Sequence, residues 1–206
     1  MSVQSRIASW RSLPGEVRLQ RSLRRSFAVH LIYGTYKAAL AVWCESAWFA
    51  ASAGYYVLLG AAQLFLLRGK SGGARRSRRY YRLCGWLLLG LTAAIAAVNE
   101  ITLRENRAAV YPWHLIYGAA AYTFYSLTMA LIRLARAGKG DLVAQARGIL
   151  SLSAALVAVF SLQMALLAAF GDGGAWQYGM SIATGSAVFL AVAIMALHMI
   201  FRKIEI

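Results

Sequence analysis

The sequence predicts an all-α protein, a polytopic transmembrane bundle of six spans with both termini in the cytoplasm. Three observations predict it. The chain is 60% hydrophobic and 14% charged, where a soluble domain carries about 25% charged residues. Its charges cluster between apolar runs, each long enough to cross a bilayer at about 20 residues per span. The 22 Lys and Arg outnumber the 7 Asp and Glu, giving +15, and most of the basic residues fall on one side of the predicted layout. A nucleic-acid-binding protein would carry such charge on a soluble folded surface. Here it flanks apolar runs and reads as an orientation signal, so no nucleic-acid partner is expected.

The spans are read at about 27–44, 46–68, 83–102, 111–133, 146–170 and 175–201. The chain thus divides into a basic arm, 1–26, and a six-helix transmembrane domain, 27–206. The arm, the 68–82 and 133–147 connections and the segment after span six hold six, seven, four and two of the 22 basic residues. The opposite side holds Arg104 and Arg107, and Lys37 lies inside span one. By the positive-inside rule the arm and the end of the chain are then cytoplasmic. The first apolar run continues straight into a second, which argues against a cleaved signal peptide. Trp43 likewise stands where a lipoprotein reading of "LAVWC" would need a small residue.

Within the arm, Leu13-Pro14-Gly15 marks a break. Leu19, Leu23 and Phe27 follow at i, i+4 and i+8, with Arg18, Arg21, Arg24 and Arg25 between them. That pattern predicts a short interfacial helix feeding span one. The stretch from Phe27 to Leu67 fits two spans, with a turn at "WCES", Trp43 to Ser46. The 68–82 stretch, "RGKSGGARRSRRYYR", reads as a flexible connection. Its charges, with those of the arm, would meet anionic lipid headgroups. Pro112 suits the first turn of span four, and "GDGGA", 171–175, reads as the turn before span six. Cys44 and Cys84 fall at opposite ends of spans, about 30 Å apart, too far for a disulfide. Span six carries small residues at strict i+4 spacing, Gly179, Ala183, Ala187 and Ala191. Such a row lets two helices approach closely. The expectation is packing within the bundle, with a homodimer face as the sharper alternative.

The pentapeptide "HLIYG" occurs at 30–34 and again at 114–118. An offset of three spans is what an inverted 3+3 repeat gives, the plan of many secondary transporters. The match ends with those five residues, since "TYKAAL" follows the first and "AAAYTF" the second. True repeats sustain their similarity, so the pair reads as coincidence. What distinguishes the first copy is the lysine after it. His30, Tyr33 and Lys37 share one helical face. Lys37 lies about 18 Å along the helix from Arg25, at 1.5 Å per residue. An ionisable residue at such depth costs about 2.5–3.5 kcal/mol and normally faces the bundle interior, a partner or water. Glu45 and Glu100 are the expected partners. Gln163, about two-thirds across span five, needs an amide partner.

These residues define the expected site: Lys37, Tyr33, Glu100, His114 and Gln163, between spans one, three, four and five. A cation there favours an anionic or carboxylate-bearing solute, so the leading expectation is a small-solute transporter or channel-like protein. The alternative is a non-transporting accessory subunit using the span-six row and the basic arm, and an intramembrane enzyme comes third. No H-E-x-x-H, G-x-S-x-G or Gly-rich phosphate loop is present. The two aspartates, Asp141 and Asp172, lie in connections on opposite sides. Three histidines in separate spans make no metal site. No enzymatic activity, cofactor or metal is therefore expected.

Two stretches, "SAWFAASAGYYVLL" (46–59) and "YPWHLIYGAAAYTFYSLTMALIRL" (111–134), resemble small six-span membrane proteins of Gram-positive gut bacteria, a family without an assigned activity. The resemblance covers most of spans one, two and four and is weaker in spans five and six. It implies a bacterial cytoplasmic membrane and carries over no functional residue.

Overall fold

The computed structural model describes residues 15–70, 73–104, 113–137, 141–171 and 174–202. Among them are six α-helices and no strand: α1 (Gly15–Trp43), α2 (Ala47–Lys70), α3 (Gly73–Arg104), α4 (Trp113–Ala135), α5 (Leu142–Phe170) and α6 (Ala175–Phe201). Four of them, α2, α3, α5 and α6, contain stretches long and apolar enough to cross a membrane: Ala47–Leu66, Arg75–Thr102, Leu142–Phe170 and Ala175–Phe201. In α1 and α4 polar side chains turn inward, among them His30, Lys37, Thr123 and Ser126. Their outer faces are apolar, with Leu31, Ile32, Val42 and Trp43 exposed on α1 and Phe124, Leu131 and Ile132 on α4.

α1 packs on α2, α2 on α3, α3 on α6 and α4 on α5, while α5 also touches α2, α3 and α6. α5 is the hub. Small residues, Ala146, Ala154, Ala155, Ala158 and Ser161, line its buried length, which lets several neighbours approach at once. α1 and α2 form a hairpin closed at residues 44–46. The Cys44 N–H donates to the Leu40 carbonyl at 2.8 Å and the Ser46 N–H to the Ala41 carbonyl at 3.2 Å. Glu45 sits between them in the left-handed region, φ 47°. The Ser46 bond across a left-handed Glu45 is the 6→1 closure that ends a helix in a Schellman-type stop, formed inside the "WCES" stretch. At the opposite end, the Asp141 carboxylate caps α5 by accepting from the Val143 and Ala144 N–H groups, each at 3.0 Å.

The structure corrects two expectations and extends a third. The 68–82 stretch is not a flexible connection: α2 runs to Lys70 and α3 begins at Gly73. Tyr81, Cys84 and Leu88 form a buried row on α3 while Arg75, Arg79 and Arg82 stay exposed, so the basic run is the outer face of an amphipathic helix. The helix expected after Gly15 is the first part of α1, which runs unbroken into the apolar run; residues 1–14 lie outside the described residues. The small-residue row of α6 does not pack inside the bundle. Gly179, Ala183 and Ala187 are exposed, and α6 turns Ser181, Gly185, Val188, Val192 and Ala196 inward instead. On the inward row Val188 and Val192 fill space that Ala cannot, and Gly185 sits against the Phe160 ring. Arg107 and Pro112 also lie outside the described residues.

The two HLIYG copies sit differently. In the first, Tyr33 and Gly34 are buried and Ile32 is exposed; in the second, Ile116 is buried and Tyr117 and Gly118 are exposed. A Cβ on Gly34 would meet Val57 Cγ2 at 2.9 Å and the Ala53 carbonyl oxygen at 3.4 Å, while one on Gly118 would meet nothing within 4 Å. Gly34 is thus what lets α1 close on α2, and the second glycine has no such duty. Gly34→Leu should destabilise the purified protein by about 1–3 kcal/mol through overpacking. Gly118→Leu should leave it within about 0.5 kcal/mol, as an exposed substitution does. Thermal melts of the two variants in one detergent check the difference.

Candidate functional site

One face of α1 organises the interior. Ser22, Ser26, His30, Tyr33 and Lys37 follow at spacings of four, four, three and four residues, the repeat of a single helical stripe. Ser26, His30, Tyr33 and Lys37 are buried, Lys37 completely. Facing them across the bundle, α5 sets Arg147, Ser151, Ala154, Ala158 and Ser161 in a matching stripe. α2 and α4 close the sides.

The lower part of this face is a hydrogen-bonded triad. The Gln63 Nε2 amide lies 3.1 Å from His30 Nε2, and an amide nitrogen can only donate. His30 Nδ1 lies 3.3 Å from the Tyr122 hydroxyl, and which ring nitrogen carries the proton follows the orientation of the Gln63 amide. One neutral imidazole thus ties α1 to both α2 and α4. Above it stand tyrosines. The Tyr33 and Tyr122 rings stack with centroids 3.5 Å apart and planes 6° apart. Tyr56 presents its edge to both, at 4.8 and 6.0 Å, and its hydroxyl donates to the Ala154 carbonyl at 3.3 Å. Edge-to-face contacts suit the ring quadrupoles, and such aromatic pairs contribute about 0.5–1.5 kcal/mol beyond their buried area.

Lys37 lies beyond the tyrosines. Its ammonium donates to Ser161 Oγ at 2.8 Å and stands 5.5 Å from the Tyr33 ring centroid and 5.1 Å from that of Phe49. Both distances fall within the roughly 6 Å reach of a cation–π contact. Two aromatic faces and a hydroxyl thus replace part of the water a buried ammonium loses. Glu45 and Glu100, the carboxylates expected beside Lys37, are both exposed. Among the described residues the buried charged side chains are Lys37 and Arg147, both cationic.

The expected site residues therefore separate. Lys37 and Tyr33 share one chamber. Glu100 lies exposed near the end of α3. Gln163 is half-buried and donates to Thr184 Oγ1 at 3.0 Å, so its amide ties α5 to α6 instead of reaching Lys37. His114 begins α4, and its side chain lies outside the described residues. The chamber instead gains Tyr56, Gln63, Tyr122 and Ser161. The periodicity of α1 carries the signal for its own stripe. The partners come from three other helices, where only register against α1 distinguishes Ser161 from Ser153. Among the described residues no group of three His, Cys, Asp or Glu side chains gathers to hold a metal ion.

Comparison of the chain with protein-family models, curated proteins and solved structures gave no match. The functional reading therefore stands on the chamber alone. It is a packed cluster of aromatic rings and hydrogen-bonding groups around the buried Lys37 amine.

If His30 is the tie described, His30→Leu strips both the Gln63 amide and the Tyr122 hydroxyl of their buried partner. The expected loss is about 1–3 kcal/mol, the penalty of leaving such a group unsatisfied. Adding Gln63→Leu should recover part of that loss, and a double-mutant cycle on melting temperature measures the coupling.

Proposed function

We propose that this chain is a six-span protein of a bacterial cytoplasmic membrane that binds a small anionic or carboxylate-bearing solute in the chamber around Lys37 and moves it across the bilayer. Both termini are cytoplasmic in this reading. The observation that carries it is the sign of the interior: a fully buried Lys37 at the end of a polar stripe, where the buried charged side chains among the described residues, Lys37 and Arg147, are both basic. Ionisable groups inside membrane spans characteristically mark substrate or ion pathways. Six spans follow if α1 and α4 cross with the four apolar helices, polar faces inward and apolar faces outward. Tyr33, Tyr56 and Tyr122 form the wall nearest the ammonium, and Ser161 is the group a solute oxygen would displace.

A second reading, a non-transporting subunit, is favoured by the exposed row Gly179, Ala183 and Ala187. A second copy of the chain could pack on this row closely. Contact with anionic lipid belongs to either reading. Arg75, Arg76 and Arg79 line a groove with Tyr80 and Leu83 on α3, where the polar end of the helix would meet headgroups.

Lys37→Met separates the readings. Replacing a buried charge with an apolar side chain of similar length is often neutral or stabilising, so the variant should fold with an unchanged or higher melting temperature. Acetate, lactate or succinate should raise the melting temperature of the unsubstituted protein saturably and leave Lys37→Met unmoved. Proteoliposomes should show the matching flux only with Lys37 present. No shift and no flux with any small anion would refute transport through this chamber.

A further inference from the structure

Two arginines at the other end of the stripe form a second arrangement, separate from Lys37. Arg133 lies in the last turn of α4 and Arg147 in the second turn of α5. Arg133 Nη1 donates to Ser26 Oγ at 3.2 Å and to Ser151 Oγ at 2.7 Å. Arg147 Nη2 donates to the Ser22 carbonyl at 3.4 Å. Arg147 is only 8% exposed. The two guanidiniums lie within electrostatic reach of each other. Along α1, Ser26 is about 16 Å from Lys37 at 1.5 Å per residue.

Two features are unexplained by packing alone. A guanidinium offers five N–H donors, and the Nε of both Arg133 and Arg147 is buried with no hydrogen-bond partner among the described residues. Like charges held together in a half-buried place also repel, and among the described residues no carboxylate bonds to either. Buried donors without acceptors are costly, and more so when charged. An anion between the two arginines would satisfy the free donors and cancel the repulsion. The hydroxyls of Ser26 and Ser151 use their oxygens as acceptors, so their own O–H groups remain able to turn toward such a guest.

We propose that Arg133, Arg147, Ser26 and Ser151 form a binding site for a phosphate oxyanion at the end of the bundle where α4 hands over to α5. The paired guanidinium forks fit a tetrahedral group with several acceptor oxygens, each fork taking two of them. Such a group comes from a soluble phosphate or from the headgroup of an anionic phospholipid. The proposal does not depend on solute binding at Lys37.

The full chain, purified in a neutral detergent, can be titrated with inorganic phosphate at constant ionic strength and with phosphatidylglycerol against phosphatidylcholine by native mass spectrometry. Saturable phosphate stabilisation identifies a soluble source, and selective retention of phosphatidylglycerol identifies a lipid source. In either case Arg133→Gln and Arg147→Gln should weaken binding by about tenfold or more, as loss of a charge-assisted fork implies, and Arg136→Gln, at a neighbouring exposed arginine, by no more than about twofold. A readout independent of variant folding is protection of the unsubstituted protein from phenylglyoxal. The bound probe should shield Arg133 and Arg147 and leave the neighbouring exposed Arg136 reactive. Absence of saturable binding by both probes, wild-type binding in both Gln variants, or no protection of Arg133 and Arg147 would overturn the proposal.

Discussion

The rest of the structure depends on one constraint: a continuous polar face of α1, ending in a lysine, has to be enclosed within a bundle whose outside is apolar. Inside a membrane a backbone or side-chain polar group has no water to turn to. The enclosure therefore sets what the other helices carry. α2 supplies Gln63 to His30 and an aromatic edge in Tyr56. α4 supplies Tyr122, which bonds to His30 and stacks on Tyr33. α5 supplies Ser161 to Lys37 and a carbonyl to Tyr56. Glycine at position 34 lets α1 come close enough to α2 for the seal to hold.

Much of this fold was legible in the sequence, and the reasons differ by element. Apolar runs of span length and the i, i+3, i+7 placement of His30, Tyr33 and Lys37 are local facts, so the helices and the inward face of α1 could be read directly. The turn at 44–46 could be placed because the stretch from Phe27 to Leu67 is too long for one span-length helix and about right for two. Helix ends were less legible. The arginine-rich stretch after Lys70 has the composition of a loop, yet Tyr81, Cys84 and Leu88 give it a buried side and it folds as part of α3. The site was half legible. Glu100 and Gln163 are polar residues at membrane depth, and nothing local says that one faces outward and the other binds Thr184. Arg133 and Arg147 read as connection charges because they flank a short basic segment, although Arg147 is buried a turn and a half inside α5. Register between helices decides all four, and a single sequence does not encode it visibly.

The interior chemistry is asymmetric. Cations stand at both ends of the α1 stripe, Lys37 at one and the Arg133–Arg147 pair at the other, with the neutral His30 and the tyrosines between. In a medium of low dielectric such charges are held by hydroxyls, carbonyls and ring faces, which compensate a cation less fully than a carboxylate does. Two cationic groups at the ends of one polar stripe are the feature on which the proposed anion binding rests. The same arrangement makes the bundle demanding to assemble, because this face of α1 is satisfied only against α2, α4 and α5.

The central claim is therefore the orientation of α1, and a spin-label scan along it tests that claim most directly. Single cysteines introduced at positions 30–39 into a Cys44→Ala/Cys84→Ala background, labelled and reconstituted in lipid, report collision with dissolved oxygen. The account predicts high oxygen accessibility at 31, 32, 35, 38 and 39 and immobile, shielded labels at 30, 33, 34 and 37, oscillating with the roughly 3.6-residue helical period. Maxima at 30, 33 and 37, or no oscillation at all, would contradict it.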